Sequence, residues 1–373
     1  MVVPLVGRSL AAVVGALLVL TAWASIIGTL MVPRAITSWL TRWTDRIVNG
    51  AFRLVTGVID DHQLRDRVLA ARAPAILLAQ LFVWLGISFA GFVLLLWPFE
   101  PMGLGSAFTG AGSAMFTLGF SEPRGGVPSA IVFVAAVTGL MIIALQIAYL
   151  PTLYAAFNRR ETEVALLNAR AGVPSWGPEL LARTHYALGS GVSTIDTLPD
   201  LYAQWERWAA DVAESHTSYL PLVRFRSPRP LSSWVIGLLA VLDSAALILA
   251  LSPTSAPVVP ARLCLRSGFL CFRQVARAMG FDVPDEPDPN GQITLSYQEF
   301  LDAIDRMRQV DFPIEREPEK AWPEFIGWRL NYEQAAYAVA FAVDAVPALW
   351  SGPRRDGRPA IPPMRPPTGR PPK

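Results

Sequence analysis

The sequence predicts an all-α membrane protein with three transmembrane helices, a re-entrant segment before the third, and a helical polar domain after it. Three observations predict this. Apolar residues make up 52% of the chain and charged residues 17%, against about 25% charged in a soluble domain. Charges are scarce before Ala156 and common after it. Three long segments carry no charge at all, and each meets the roughly 20 apolar residues that a span needs.

The first segment is Leu10 to Val32. Ala22-Trp23-Ala24 has the small-x-small pattern of a signal-peptide cleavage site, but the apolar run continues to Val32 and only Arg8 precedes it. We therefore expect an uncleaved span over 1–33. The stretch 34–72 follows. Ile36, Leu40, Trp43, Ile47, Leu54 and Val58 recur at helical spacing, with Arg42, Asp45, Arg46 and Arg53 off that stripe. Such an amphipathic helix suits the membrane surface or the chain's own helices.

Ala73 to Phe99 gives the second span. Gly125 to Asn158 gives the third, longer than a bilayer core at 1.5 Å per residue, so its end should protrude. Basic residues in short loops set orientation. The stretch from Pro33 to Arg72 holds seven arginines, whereas Pro98 to Gly126 holds only Arg124. The first loop is then cytoplasmic, the second faces out, and the carboxyl half lies inside. Arg159 and Arg160 agree with this.

Between the second and third spans, Pro101 to Ser121 is also uncharged, but glycines interrupt it. Glycine costs about 1 kcal/mol per helix position relative to alanine. A full crossing here would also put Arg159 and Arg160 outside. A re-entrant segment avoids both problems, provided protein buries it or water lines it.

Leu231 to Leu251 is a fourth apolar stretch, with Asp243 at its middle and arginines on both flanks. An intramembrane charge is costly. We read the stretch as the central helix of a cytoplasmic bundle over 161–350, with a fourth span as the alternative. The Pro- and Arg-rich 351–373 should be disordered. Cys264 and Cys271 read as buried reduced thiols. Glu286, Asp288 and Asn290-Gly291 imitate a calcium loop, but Tyr297 stands where a bidentate glutamate is required. His62, His185 and His216 have no metal spacing, and no phosphate loop, nucleophile elbow or paired acidic motif stands out, so an enzyme is not expected. With 32 basic and 30 acidic residues, nothing points to nucleic acid. The Ala, Arg and Pro bias suggests a bacterial source.

Thr117-Leu118-Gly119-Phe120-Ser121-Glu122 resembles the filter signature of potassium channels, Thr-hydrophobic-Gly-Tyr/Phe-Gly, often followed by Asp. The resemblance covers about Pro74 to Arg160. It implies a pore helix over Ser106 to Phe116, a filter loop within 101–123, and an inner helix over Gly125 to Phe157, together the pore domain 73–160. Backbone carbonyls of Thr117, Leu118, Gly119 and Phe120 would then replace the hydration shell of a permeant K+, with no other cofactor. Gly119 permits a left-handed backbone, and Phe120 would wedge against the pore helices. The negative dipole end of the pore helix would face a cavity.

Ser121 departs from the family's second glycine; a non-glycine residue held left-handed there would cost about 1–2 kcal/mol. That puts potassium over sodium selectivity in question. Glu122 would stand at the outer mouth. One loop per chain implies a homotetramer in the bacterial plasma membrane, in contact with lipid and open to a cytoplasmic regulator. Thr138, Gly139, Gln146 and Pro151 would belong to the inner cavity and gate. Close packing (Gly139), a helix-end proline (Pro151) and helix–helix hydrogen bonding (Gln146) are the simpler alternatives. The competing reading of the whole chain is a non-conducting membrane scaffold or sensor with a degenerate pore loop.

Overall fold

A computed structural model describes residues 2–32, 38–123, 125–185, 194–288, 291–354 and 357–365. The described residues form helices and one isolated bridge, Ala348 to Ile361. The chain divides into two compact units: Met1–Asp60 with Arg67–Ala155, and Asp61–Asp66 with Ala156–Lys373.

The first unit contains α1 (Val2–Leu30), α2 (Trp39–Thr56), the last part of α3 (His62–Ala70), α4 (Arg72–Leu96), α5 (Leu104–Met115) and the first part of α6 (Gly126–Ala171). α1 and α4 cross at two glycines. A Cβ on Gly15 would lie 2.6 Å from the Gly91 carbonyl oxygen, and one on Gly91 would lie 2.8 Å from Val19 Cγ2. Small residues let apolar helices approach backbone to backbone, which is how such helices associate where no hydrophobic gain is available. Gly91→Ala should therefore destabilise this unit by about 1–3 kcal/mol through overpacking, read as a lower unfolding temperature in detergent.

Among the described residues, four helices are long and apolar enough to cross a membrane: Gly7–Leu30, His62–Phe99 (α3 and α4 together), Gly126–Ala171 and α9 (Trp234–Leu251). Their surroundings differ. In the most apolar window of the first three, 33%, 33% and 28% of residues are buried, whereas in α9 the figure is 100%. α6 continues through Pro151 to Ala171 as one helix of 46 residues, about 69 Å long. The third expected span thus ends well beyond its apolar part.

In the second unit, α9 is the axis. α7 (Gly177–His185), α8 (Leu198–Ser218), α10 (Val258–Ala278), α12 (Pro318–Arg329) and α13 (Glu333–Val343) pack on it, and α11 (Tyr297–Arg308) joins α7 and α12. Covered on every side, α9 needs no polar face, which is why its sequence resembles a span. Its carboxylate is held by a buried network. Arg329, fully buried, donates to Asp243 and to Glu333, and its Nη2 reaches Tyr337 Oη at 2.9 Å and the Trp350 carbonyl at 2.7 Å. Tyr332 Oη donates to Asp243 Oδ1 at 2.7 Å. Cys264 and Cys271 are buried and unbridged.

Arg160 makes a second network. It is wholly buried, with Nε 2.8 Å from Glu161 Oε1, Nη1 2.8 Å from the Leu222 carbonyl and Nη2 2.8 Å from the Phe225 carbonyl. Nη1 also meets His216 Nε2 at 2.9 Å. A guanidinium only donates, so Nε2 accepts and the imidazole proton sits on Nδ1. Burial first, and the Arg160 charge second, hold the His216 pKa well below its ordinary 6.5. The folded unit therefore binds fewer protons than the unfolded chain once pH drops below about 6.5. Its stability should be full above that pH and fall by up to about 1.4 kcal/mol per unit below it. His216→Gln should remove this component, as seen in denaturant titrations across pH.

Two expectations from the sequence need correction. The segment 34–72 is not one element, because Asp61–Asp66 belongs to the second unit. There Arg65 Nε lies 2.8 Å from Asp344 Oδ2, and Arg226 pairs with Asp66. Nor is the described part of 351–373 a free tail. Ser351 is buried, the Met364 amide donates to the Val173 carbonyl at 2.9 Å, and Arg365 reaches the buried Glu179. Arg354 donates to the carbonyls of Ala345, Val346 and Ser351. Prolines leave this segment few amide donors, so arginine side chains and the carbonyls they meet fasten it. Residues 366–373 lie outside the described residues, as do Asn290 of the calcium-like loop and the side chain of His185.

Candidate functional site

The uncharged glycine-rich segment folds as a short helix and a return strip. Glu100 and Gly103 start it. Gly103 has φ +88° and precedes α5, and Ser106 Oγ donates to the Glu100 carboxylate. α5 begins two residues before the expected Ser106 and ends at Met115. Its buried face is small (Ala107, Gly110, Ala111, Ser113, Ala114), and only Met115 there is large. Outside that face, Phe89 of α4 meets Phe108 edge-to-face at 4.9 Å between centroids and Phe116 at 6.0 Å.

The helix ends in a chain reversal. Thr117 adopts φ +55°; its amide bonds the Ala114 carbonyl at 3.1 Å, and the Leu118 amide bonds the Ser113 carbonyl at 2.8 Å. These two bonds are the Schellman pair, which usually places glycine at the left-handed position. A β-branched residue there is an outlier. Gly119 also has positive φ, +71°, with open space around its Cα. Ser121 is not among the positive-φ residues, so the strain expected there falls on Thr117 instead.

Ser113 organises the strip. Its carbonyl accepts from Leu118 at 2.8 Å and from Gly119 at 3.4 Å. Its hydroxyl oxygen accepts from the amides of Phe120 and Ser121, each at 3.0 Å. Four successive amides thus turn back onto one buried residue. A trans peptide sets N–H and the preceding C=O in opposite directions. The carbonyls of Thr117, Leu118, Gly119 and Phe120 therefore face away from α5. Leu118 and Phe120 are 62% and 65% exposed, and Glu122 is exposed. The strip is a row of outward carbonyls on exposed residues, and Phe120 is left without a wall among the described residues.

The α6 residues are placed differently from expectation. Thr138 is fully buried and accepts from Trp23 Nε1 of α1 at 3.2 Å, so it faces protein and not an open cavity. A Cβ on Gly139 would lie 2.0 Å from the Met115 carbonyl oxygen. That glycine is the notch into which the end of α5 fits, the close-packing alternative to a hinge. The carbonyls at the end of α5 are mostly engaged within the chain. The carbonyls of Gly112, Ser113 and Ala114 are taken by the strip and its turn, and that of Met115 abuts α6. Gln146 is buried, and Pro151 is exposed within unbroken helix.

Ser113 escaped sequence reasoning. A serine three residues before the end of a helix is a common C-terminal residue, and only the reversal at Thr117 gives its hydroxyl a task. Arg159, counted for topology, pairs with Asp211 on the surface of the second unit. Comparison with protein-family models, curated proteins and solved structures gave no match.

Proposed function

We propose that this protein is a cation channel, potassium-permeable and assembled as a homotetramer, with the strip Thr117 to Ser121 as its filter. One observation carries the reading: Ser113 gathers the amides of Leu118 to Ser121, and four consecutive carbonyls are left facing outward on exposed residues. A dehydrated monovalent cation needs several such oxygens around it. One strip supplies a single column, and four copies around an axis supply rings. The exposure of Leu118 and Phe120 is what a strip awaiting neighbouring copies would have.

On this reading α1, α4 and α6 cross the bilayer, and α5 with its strip enters and leaves on one side. α9 stays out of the lipid, since its own bundle covers it. Arginines in 33–72 and their scarcity in 98–126 put the helical unit in the bacterial cytoplasm. That unit, which shows no strand among its described residues, would assemble or gate the pore or take a cytoplasmic regulator.

The test is ion current through purified protein in liposomes or planar bilayers, with potassium on one side and sodium on the other. We expect a monovalent cation current and a tetrameric mass, and a reversal potential that favours potassium. Gly119→Ala places a side chain at positive φ, and should bring that potential toward zero. Absence of current in both proteins would favour the non-conducting scaffold.

A further inference from the structure

We infer that α2 is a lipid-docking helix whose outward face binds anionic phospholipid headgroups at the bilayer surface. Its amphipathicity is inside out. The residues it buries are Leu40, Thr44, Asn49 and Thr56. The residues it exposes include Trp39 (62%), Trp43 (46%), Ile47 (65%) and Leu54 (80%). A soluble helix does the reverse. Two tryptophans on the exposed side are the residue type enriched at the headgroup level.

The helix cannot simply roll its apolar face inward, because its first turn is tied down. Ser38 Oγ lies 2.7 Å from Ser25 Oγ of α1 and accepts from the Thr41 amide, capping α2. Ser25 Oγ in turn accepts from Trp84 Nε1 of α4 at 2.9 Å. Thr41 Oγ1 also meets Thr29 Oγ1 of α1 at 3.1 Å. On the inner side Thr44 and Thr56 satisfy their hydroxyls on their own helix, bonding the carbonyls of Leu40 and Phe52. The rotation of α2 is therefore set by hydrogen bonds from α1, whose Ser25 is itself held by Trp84 of α4, and the tryptophan face points out.

Charge selects the occupant. At 3.6 residues per turn, Trp39, Trp43, Leu54 and Ile47 span an arc of about 80°, and Arg42, Arg46 and Arg53 fill an arc of about 40° directly beside it. All three arginines are exposed. An apolar stripe edged on one side by guanidinium groups matches acyl chains below and phosphate above, with the arginine stems reaching up to the headgroups. Basic side chains at an anionic surface each add to that attraction.

The inference rests on the membrane reading and not on conduction, so a silent channel would leave its result unmoved. The test places an environment-sensitive fluorophore at Ile47→Cys in the full chain, in nanodiscs of phosphatidylcholine with or without phosphatidylglycerol. Asp305→Cys, on the surface of the second unit, is the aqueous control. The native cysteines are buried, so labelling is selective. We expect the probe at position 47 to be blue-shifted and quenched by lipids carrying a nitroxide near the headgroup, and the probe at 305 to be unaffected.

Replacing Arg42, Arg46 and Arg53 together by glutamine should lower the enrichment of phosphatidylglycerol over phosphatidylcholine around the protein by about tenfold or more. The corresponding lysine triple should retain it, which separates lost charge from lost fold. A probe at 47 that stays in water, or one shielded from nitroxide lipid and cross-linking to a second copy, would overturn the assignment. So would a glutamine triple that keeps the full preference for phosphatidylglycerol.

Discussion

Arg329→Met is expected to lower the stability of the helical unit by about 3–5 kcal/mol, the cost of stranding a buried charge. The arginine is the only cation donating directly to Asp243 among the described residues, and it also donates to Glu333, Tyr337 and the Trp350 carbonyl. Without it, two carboxylates share an interior with only Tyr332 Oη and the Thr294 amide as donors. Chemical denaturation of the full chain in detergent, followed by the tryptophan signal of α8 and α12, reads the loss. The double variant Arg329→Met with Asp243→Leu removes one of the orphaned carboxylates and should recover part of the stability. A loss below about 1 kcal/mol for the single variant would place it among ordinary surface changes, and the network would not be what fastens α12 and the 345–351 segment to α9.

Ser113→Ala is expected to abolish potassium selectivity while leaving the helices intact. The hydroxyl oxygen accepts the amides of Phe120 and Ser121, and a lost acceptor costs about 1–3 kcal/mol for each buried donor. The strip is exposed enough for the two amides to turn toward water, and turning them swings the Gly119 and Phe120 carbonyls with them. On the proposed reading, the permeability ratio of potassium to sodium should fall at least about tenfold, or current should cease. Helix content and tetramer mass should stay as in the wild type. A variant that conducts with unchanged selectivity would remove the strip from the ion path.

Much of the architecture was legible because hydropathy is a property of contiguous sequence. The three charge-free runs followed from it, while the position of α5 followed from the resemblance to a pore helix. Hydropathy could not separate α9 from the spans, since a helix buried on all sides by protein and one facing lipid are equally apolar; Asp243 and the arginine flanks carried that distinction. What stayed illegible depends on partners far apart in the chain. Thr138 read as a cavity residue until Trp23 was seen to reach it, and the choice between hinge and close packing at Gly139 had to wait for Met115 to fill its notch. The stripe on α2 was readable, but not that its polar side would be the one covered. The Pro- and Arg-rich segment after Gly352 looked free because arginine–carbonyl bonds such as those of Arg354 leave no mark in composition. In the strip itself, the sequence put left-handed backbone at Gly119, where the chain has it, and the strained non-glycine position at Ser121 by analogy, whereas the chain puts that at Thr117, where the reversal occurs.

The complete enclosure of α9 has a consequence for how the protein is made. Membrane insertion machinery sorts a nascent segment by apolarity before its bundle partners have been synthesised, and at that moment α9, 18 residues long, is about as apolar as the longer α1 and α4 but carries an aspartate at its middle. A central aspartate raises the insertion free energy by about 2.5–3.5 kcal/mol. On the reading that α9 stays out of the lipid, Asp243 acts twice. During synthesis it would turn the segment away from the bilayer, and once Arg329 arrives, 86 positions later, it anchors the interior it was kept free to build.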